Sequence, residues 1–423
     1  MKAFNILKNV ILSTILTTIF IKAHLNQEPR VLYNPKYIKF NLNFSVFNYC
    51  RDSSYLYVKI FPKDLLYSYL NNEGKYKAIL KINYILTELN ENNKSSNLII
   101  DSATIIYEFY REGVPQEILK KIRIYTPNNK IYALKINTTD VVRKYTLLRY
   151  IIIDRKDFSS QDILLYKDTD TIPLFSPYDL KTDSFKIKLN NSLGIKNLYL
   201  FKIENHKNPP PIFIRDEKYF DTIDFTKKFI SKIESYQTMK LPYPGYYLLQ
   251  FDSIKLNGVI INYNNMNFPK TTDVNNLIQP LIYLTTTNEY LQLINSTNKK
   301  LAVDNFWLKL SKNNKEKAKE MIRIYYNRVS YANQFFTSYK PGWQTDRGMI
   351  YIIFGIPDMV ILEHTTEKWI YLKRTFSNKI EFEFSLSLLP FCNNNYILER
   401  YPEYEQYWRN AISSWRNGKI FYF

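Results

Sequence analysis

Residues 342–358 read GWQTDRGMIYIIFGIPD, and their reading decides the fold of the C-terminal part of the chain. Three of the chain's nine glycines fall here, Gly342, Gly348 and Gly355. Glycine permits positive φ and close backbone approach, so the pattern predicts a turn, a strand over Met349–Phe354 and a second turn. A phosphate loop would need Gly-Lys-Ser/Thr leading into a helix, and a dinucleotide loop close-set glycines after a strand. Here the glycines bracket the apolar run instead. Trp343 sits between a glycine and a polar residue, where a large ring packs on a core while its N–H finds an acceptor. Asp346, two residues before Gly348, suits a turn in which its carboxylate accepts backbone N–H groups. Arg347 has two carboxylate candidates, Asp346 and Glu367. Asp358, after Pro357, suits a turn or a cap.

The stretch resembles the GWxTD domain, with Gly342, Trp343, Thr345 and Asp346 at the name-giving positions. Arg347, Gly348, Tyr351, Gly355, Pro357 and Asp358 continue that family's pattern. Downstream, Glu367, Trp369 and Tyr371 match its Glu-x-Trp-x-Tyr strand. Phe382 and Phe384 match a Phe-rich strand, Tyr396 and Leu398 a Tyr-x-Leu element, and Trp415, Arg416 and Gly418 a terminal helix. The resemblance covers roughly the last third of the chain. It implies a fold and a motif but no activity, the family being a domain of unknown biochemical function.

The 423 residues suffice for two or three domains. An apolar content of 45% supports packed cores. The 37 Tyr and 27 Phe, with abundant Lys, Asn and Ile, have AT-rich codons, and the net charge of +19 follows partly from the same bias. Lys and Arg are scattered, running no further than pairs such as Lys120-Lys121 or Lys227-Lys228. No basic stripe with interleaved aromatics stands out, so the charge reads as a solvated surface and not as a nucleic-acid footprint.

The N-terminus has Lys2 and Lys8 ahead of the uncharged apolar run Val10–Ile21, with Ala23 at the expected cleavage position. This is the layout of a secretory signal peptide over residues 1–23, too short for an ordinary transmembrane helix. If uncleaved, it would serve as a membrane tether. The expected location is therefore outside the cytoplasm, in the periplasm or associated with the envelope. Only Cys50 and Cys392 are present, in different candidate domains, so a disulfide framework is not the source of stability.

The predicted fold is mainly β with a C-terminal α+β domain: two tandem β-sandwich-like modules, over 31–157 and 162–265, followed by a GWxTD domain over 275–423. Ile38, Phe40, Leu42, Phe44 and Val46 alternate with polar residues, the period-2 signature of a half-buried antiparallel strand. Further strands are expected over Tyr55–Phe61, Tyr76–Leu86, Leu98–Phe109, Ile122–Tyr125, Ile131–Ile136 and Tyr145–Asp154, then over Phe185–Leu189, Leu198–Ile203, Tyr246–Asp252 and Val259–Tyr263. The break between modules is expected near Asp154–Gln161, and Pro209-Pro210-Pro211 as an extended surface segment. All five tryptophans lie beyond residue 306, which marks a separate C-terminal domain. There, Ala318, Met321, Ile322, Tyr325, Val329, Ala332 and Phe336 have helical spacing, with Asn313 as N-cap. A last helix is expected from Pro402 to Arg416, with Gly418 just beyond it.

Chemistry is sparsely supplied. His24, His206 and His364 are far apart, and no His/Cys cluster has zinc spacing. No Gly-x-Ser-x-Gly elbow exists. No catalytic residue, cofactor or metal ligand is assigned. The sequence reads as an exported envelope protein, non-enzymatic, acting on unidentified protein partners. The competing reading is an enzyme or small-ligand pocket around Thr345, Asp346, Arg347 and Asp358.

Overall fold

The computed structural model describes the chain from residue 31 to 422, apart from 34–39, 41, 71–73, 90–94, 157, 168–171, 176–179, 181–182, 191–195, 205–206, 216–222, 234, 252–257, 264–266, 364, 373–378 and 388–393. Residues 1–23, where a signal peptide is expected, the three histidines and Cys392 lie outside the described residues. Among the described residues, no helix is long and apolar enough to cross a membrane.

The described chain opens with β1 (Val31–Tyr33), which belongs to a distant sheet. The first module then runs β2 (Leu42–Cys50), β3 (Ser53–Ile60), β4 (Tyr69–Leu70), β5 (Tyr76–Leu89), β6 (Ser95–Tyr110), β7 (Ile118–Tyr125), β8 (Ile131–Asp140) and β9 (Tyr145–Asp154). One sheet has the order β2-β3-β7; the other has β4-β5-β8-β9, with β6 also paired to β5. Alternation puts Leu80, Ile82, Tyr84 and Leu86 inside, against Val46, Leu56, Val58 and Ile124 of the facing sheet. This is the expected antiparallel pattern, with hydrophobic side chains in and polar ones out.

The second module holds β10 (Ile163–Lys167), β11 (Ser184–Leu189), β12 (Lys196–Glu204), β13 (Asp224–Ile233), β14 (Thr238–Lys240), β15 (Gly245–Gln250) and β16 (Val259–Tyr263). Its sheets have the orders β10-β11-β14 and β13-β12-β15-β16. They enclose Ile163, Phe185, Ile187, Leu198, Leu200, Tyr247 and Leu249. Several polar residues at the break between the modules are buried, although Lys156 is exposed. Arg155, Ser159, Gln161 and Asp162 are each 6–7% exposed. Arg155 donates to the carbonyl oxygens of Thr126 and Cys50, Asn190 donates to Asp162, and Ser159 caps a short 3₁₀ turn. Burial pushes the Asp162 carboxyl up. Satisfied networks of this kind make the joint stiff.

The C-terminal part carries α1 (Val274–Ile278), α2 (Thr287–Asn295), α3 (Lys299–Leu310), α4 (Lys315–Phe336), α5 (Asp346–Phe354), β17 (Met359–Leu362), β18 (Thr366–Leu372), β19 (Lys379–Leu386), β20 (Tyr396–Leu398) and α6 (Tyr404–Arg416). Its sheet has the order β1-β17-β18-β19-β20, so Val31–Tyr33 lies at the edge of this sheet and not in the sandwich that follows it in sequence. The cap of α4 is Asn314, one residue beyond the expected Asn313. The last helix begins at Tyr404, two residues after Pro402.

One expectation is overturned at the center of the domain. Met349–Phe354 is not a strand but the body of α5, and all nine residues of that helix are buried. A helix that is apolar all round belongs in a core, and over so short a run its pattern matches that of a buried strand.

Candidate functional site

The family motif builds α5 and fastens it on every side. Thr345 is the N-cap: its Oγ accepts the Gly348 N–H at 3.0 Å and donates to the Gly342 oxygen at 2.7 Å. The backbone N–H of Gly342 donates to Thr337 Oγ at 3.1 Å, and that of Trp343 to Asn333 Oδ1 at 3.1 Å. The Tyr283 hydroxyl donates to the Trp343 oxygen at 2.8 Å, with the two rings edge to face at 6.1 Å. A Cβ on Gly342 would lie 1.9 Å from the Ala332 oxygen, and one on Gly348 1.9 Å from the Gly342 oxygen. Both glycines are therefore required by close backbone approach. Gly355 ends the helix at φ +86°, in the left-handed region.

The charged residues are paired away from each other. Successive residues of a helix point in different directions, so Asp346 and Arg347 find separate partners. Asp346 accepts the Leu398 N–H at 2.9 Å and pairs with Arg400 at 2.5 Å. Arg347 pairs with Glu367 at 2.9 Å, and donates to the Asn394 oxygen at 2.7 Å while stacking 4.4 Å from the Tyr396 ring centroid. The other oxygen of Glu367 accepts the Trp369 indole N–H at 2.6 Å. Of the two carboxylates considered for Arg347, Glu367 is the one it meets. Asp358 ties β17 to β18: its N–H donates to the Ile370 oxygen, and its carboxylate accepts the Leu372 N–H at 2.8 Å.

Tyr351 stacks on Tyr331 at 4.3 Å, and Pro357 is buried. Trp415 is fully buried and donates to the Ile353 oxygen at 3.1 Å. Arg416 pairs with Glu289 at 2.8 Å, and Gly418 takes φ +72° after the last helix. Sequence reasoning missed Arg328. It is buried on α4 and donates to the oxygens of Ile352, Ile353 and Phe421, capping the C-terminal end of α5 where a cation is favored. It also missed Arg400 and Asn333, which carry no local signature; the one signal is that a buried Asp346 demands a cation from elsewhere.

The segment around the three prolines is a strap. Pro209 is buried, and Ile212 is 0% exposed in the core of the C-terminal domain. Arg400 reaches the Pro210 oxygen at 3.4 Å, and Gln344 donates to Asn208 Oδ1 at 2.9 Å. The expected surface placement holds for Pro211 alone. The motif thus gathers helices, sheet and strap at one point. Thr345, Asp346 and Arg347 are 2–6% exposed, so their polar groups face internal partners.

Beta-rich modules joined to an α+β domain whose buried helix is pinned by this motif define the class of architecture. The C-terminal part of the chain is a GWxTD domain, that family matching residues 245–417. The match begins in β15, upstream of the boundary expected from tryptophan content. No curated protein matches in sequence. Two solved structures of Bacteroides uniformis are similar over part of the chain. One is beta-glucuronidase 2 covalently bound to cyclophellitol-6-carboxylate aziridine, at 11% identity over 33% of this chain and 15% of that one, with a TM-score of 0.17. The other is beta-glucuronidase, at 11% identity over 34% and 15%, also at 0.17. The chain spans about a seventh of those enzymes, and the scores are too low to carry an argument.

Proposed function

We propose that this protein is an exported, non-enzymatic component of the cell envelope that acts by binding other proteins, its GWxTD domain serving as a keystone for the β-modules. One observation carries the reading: two ionizable groups of the motif are buried and spent on internal partners, Asp346 on Arg400 and Arg347 on Glu367. Catalytic acids and bases need access to a substrate, whereas these groups hold helix, sheet and strap together. The charged start and the apolar run Val10–Ile21 support export. Tandem β-modules on a stiff joint suit an extended binding surface.

Cross-linking in intact cells, followed by purification and mass spectrometry, tests the proposal. The expected result is a reproducible protein partner cross-linked through the β-modules, in a fraction outside the cytoplasm. Recovery of uncross-linked, full-length protein from the soluble cytoplasm would overturn it.

A further inference from the structure

A cationic aromatic cluster lies where the two β-modules pack together, on the outer face of β2-β3-β7. Phe47, Tyr49, Tyr55 and Tyr57 line the first module's side, and Leu164, Tyr166 and Phe175 pack against them from the second. Lys121 is directly opposite Tyr57 in the β3–β7 register. Its Nζ lies 3.7 Å from the Tyr55 ring centroid and 6.0 Å from that of Tyr49. From the other module, Lys188 Nζ lies 5.9 Å from the same Tyr49 ring and 5.5 Å from those of Phe47 and Tyr236. Two ammonium groups from different modules therefore converge on one tyrosine.

Neither lysine forms an ion pair among the described residues, whereas Lys59, Lys77 and Lys130 of the first module pair with Glu117, Glu108 and Glu88. Aromatic faces attract the ammonium groups without neutralizing them. Partial burial and the nearby Lys188 hold the Lys121 amine below its ordinary basicity, as expected for like charges left uncompensated. At the edge, Tyr236 takes φ +70°, a strained conformation for a tyrosine, pinned by its N–H donating to the Ile187 oxygen. Strain of that kind is found at ligand clamps. The network of Arg155, Ser159 and Asp162 holds the two modules in register beside the cluster.

We propose that this cationic aromatic surface binds a dianionic phosphate group, held by Lys121 and Lys188 together, with Tyr236 at its edge. Two unpaired ammonium groups match two negative charges, and lysine suits phosphate as a compact point charge. The group could arrive as soluble phosphate or on a lipid headgroup.

Calorimetric titration of the full chain with inorganic phosphate at constant ionic strength, with chloride as control, reads the site. Cosedimentation with vesicles containing phosphatidic acid separates the two sources. Phosphate is expected to bind one site, with Lys121→Gln and Lys188→Gln each weakening it about tenfold, as for the loss of one charge-assisted contact. Lys59→Gln, whose lysine has its own carboxylate, should bind like the wild type. Sedimentation abolished in the double Lys121→Gln/Lys188→Gln variant points to a headgroup; titration without sedimentation points to a soluble phosphate. The proposal is overturned if neither phosphate nor vesicles bind, if chloride matches phosphate, or if Lys59→Gln weakens binding as much as Lys121→Gln.

Discussion

The carboxylate of Asp346 lies 2.5 Å from the guanidinium of Arg400, and their side chains are 2% and 1% exposed. The pair joins the first turn of α5 to the chain just beyond β20, and Arg400 extends the contact to the strap at Pro210. A buried ion pair contributes little net stability against an apolar pair, but removing one partner strands the other charge at a cost of about 3–5 kcal/mol. Asp346 therefore acts by fixing which elements meet.

Gly348→Ala places a methyl inside α5, where alanine would ordinarily help a helix by about 1 kcal/mol. Here its Cβ would stand 1.9 Å from the Gly342 backbone oxygen. The substitution should instead destabilize on the order of 3 kcal/mol, from overpacking against backbone that cannot yield. Chemical denaturation of the two proteins checks the sign.

Ile212→Ala probes the strap. Ile212 is 0% exposed in the C-terminal core, whereas Ile214 is 47% exposed. The first truncation should cost about 2–5 kcal/mol, and Ile214→Ala should stay within about 0.5 kcal/mol of wild type. Equal midpoints for the two variants would show that the strap is not part of the core.

Much of this fold is legible in sequence, for identifiable reasons. Many strands of the two modules announce themselves because one face is buried and the other wet, as in Leu80-Lys81-Ile82 of β5, whereas β4, β10, β13 and β14 do not. The α4 helix does so through its spacing from Ala318 to Phe336. Met349–Phe354 does not, because a segment buried on all sides shows no period; Thr345 as an N-cap was the available signal. The strap is illegible because its anchor, Ile212, stands in an apolar run of only three residues after three prolines, too short to show a period. Arg328, Asn333 and Arg400 are found only in space, being 10–54 positions from the motif residues that they hold.

The Glu289–Arg416 pair gives a pH dependence. Arg416, hydrogen-bonded to Glu289, holds the Glu289 carboxyl at about 2, below its ordinary 4.5. A carboxyl depressed in the folded state contributes stability that is present above the unfolded value and lost as pH falls through the folded one. Stability should therefore fall between pH 4.5 and about 2 more steeply in wild type than in Glu289→Gln. Unfolding midpoints across that window read the difference; parallel curves would count against the pair.

Thermal unfolding of the full chain with Trp343→Ala and with Asp346→Asn tests most directly whether the motif is a keystone. Trp343 is 5% exposed, and truncating such a ring costs about 3–5 kcal/mol. Asp346→Asn still offers an oxygen to the Leu398 N–H but leaves the buried Arg400 charge unpaired, so its cost should be comparable, about 3–5 kcal/mol. The account predicts that both midpoints fall clearly below that of the wild type. Two variants that melt with the wild type while losing their cross-linked partner would contradict it, and would make the motif a binding site.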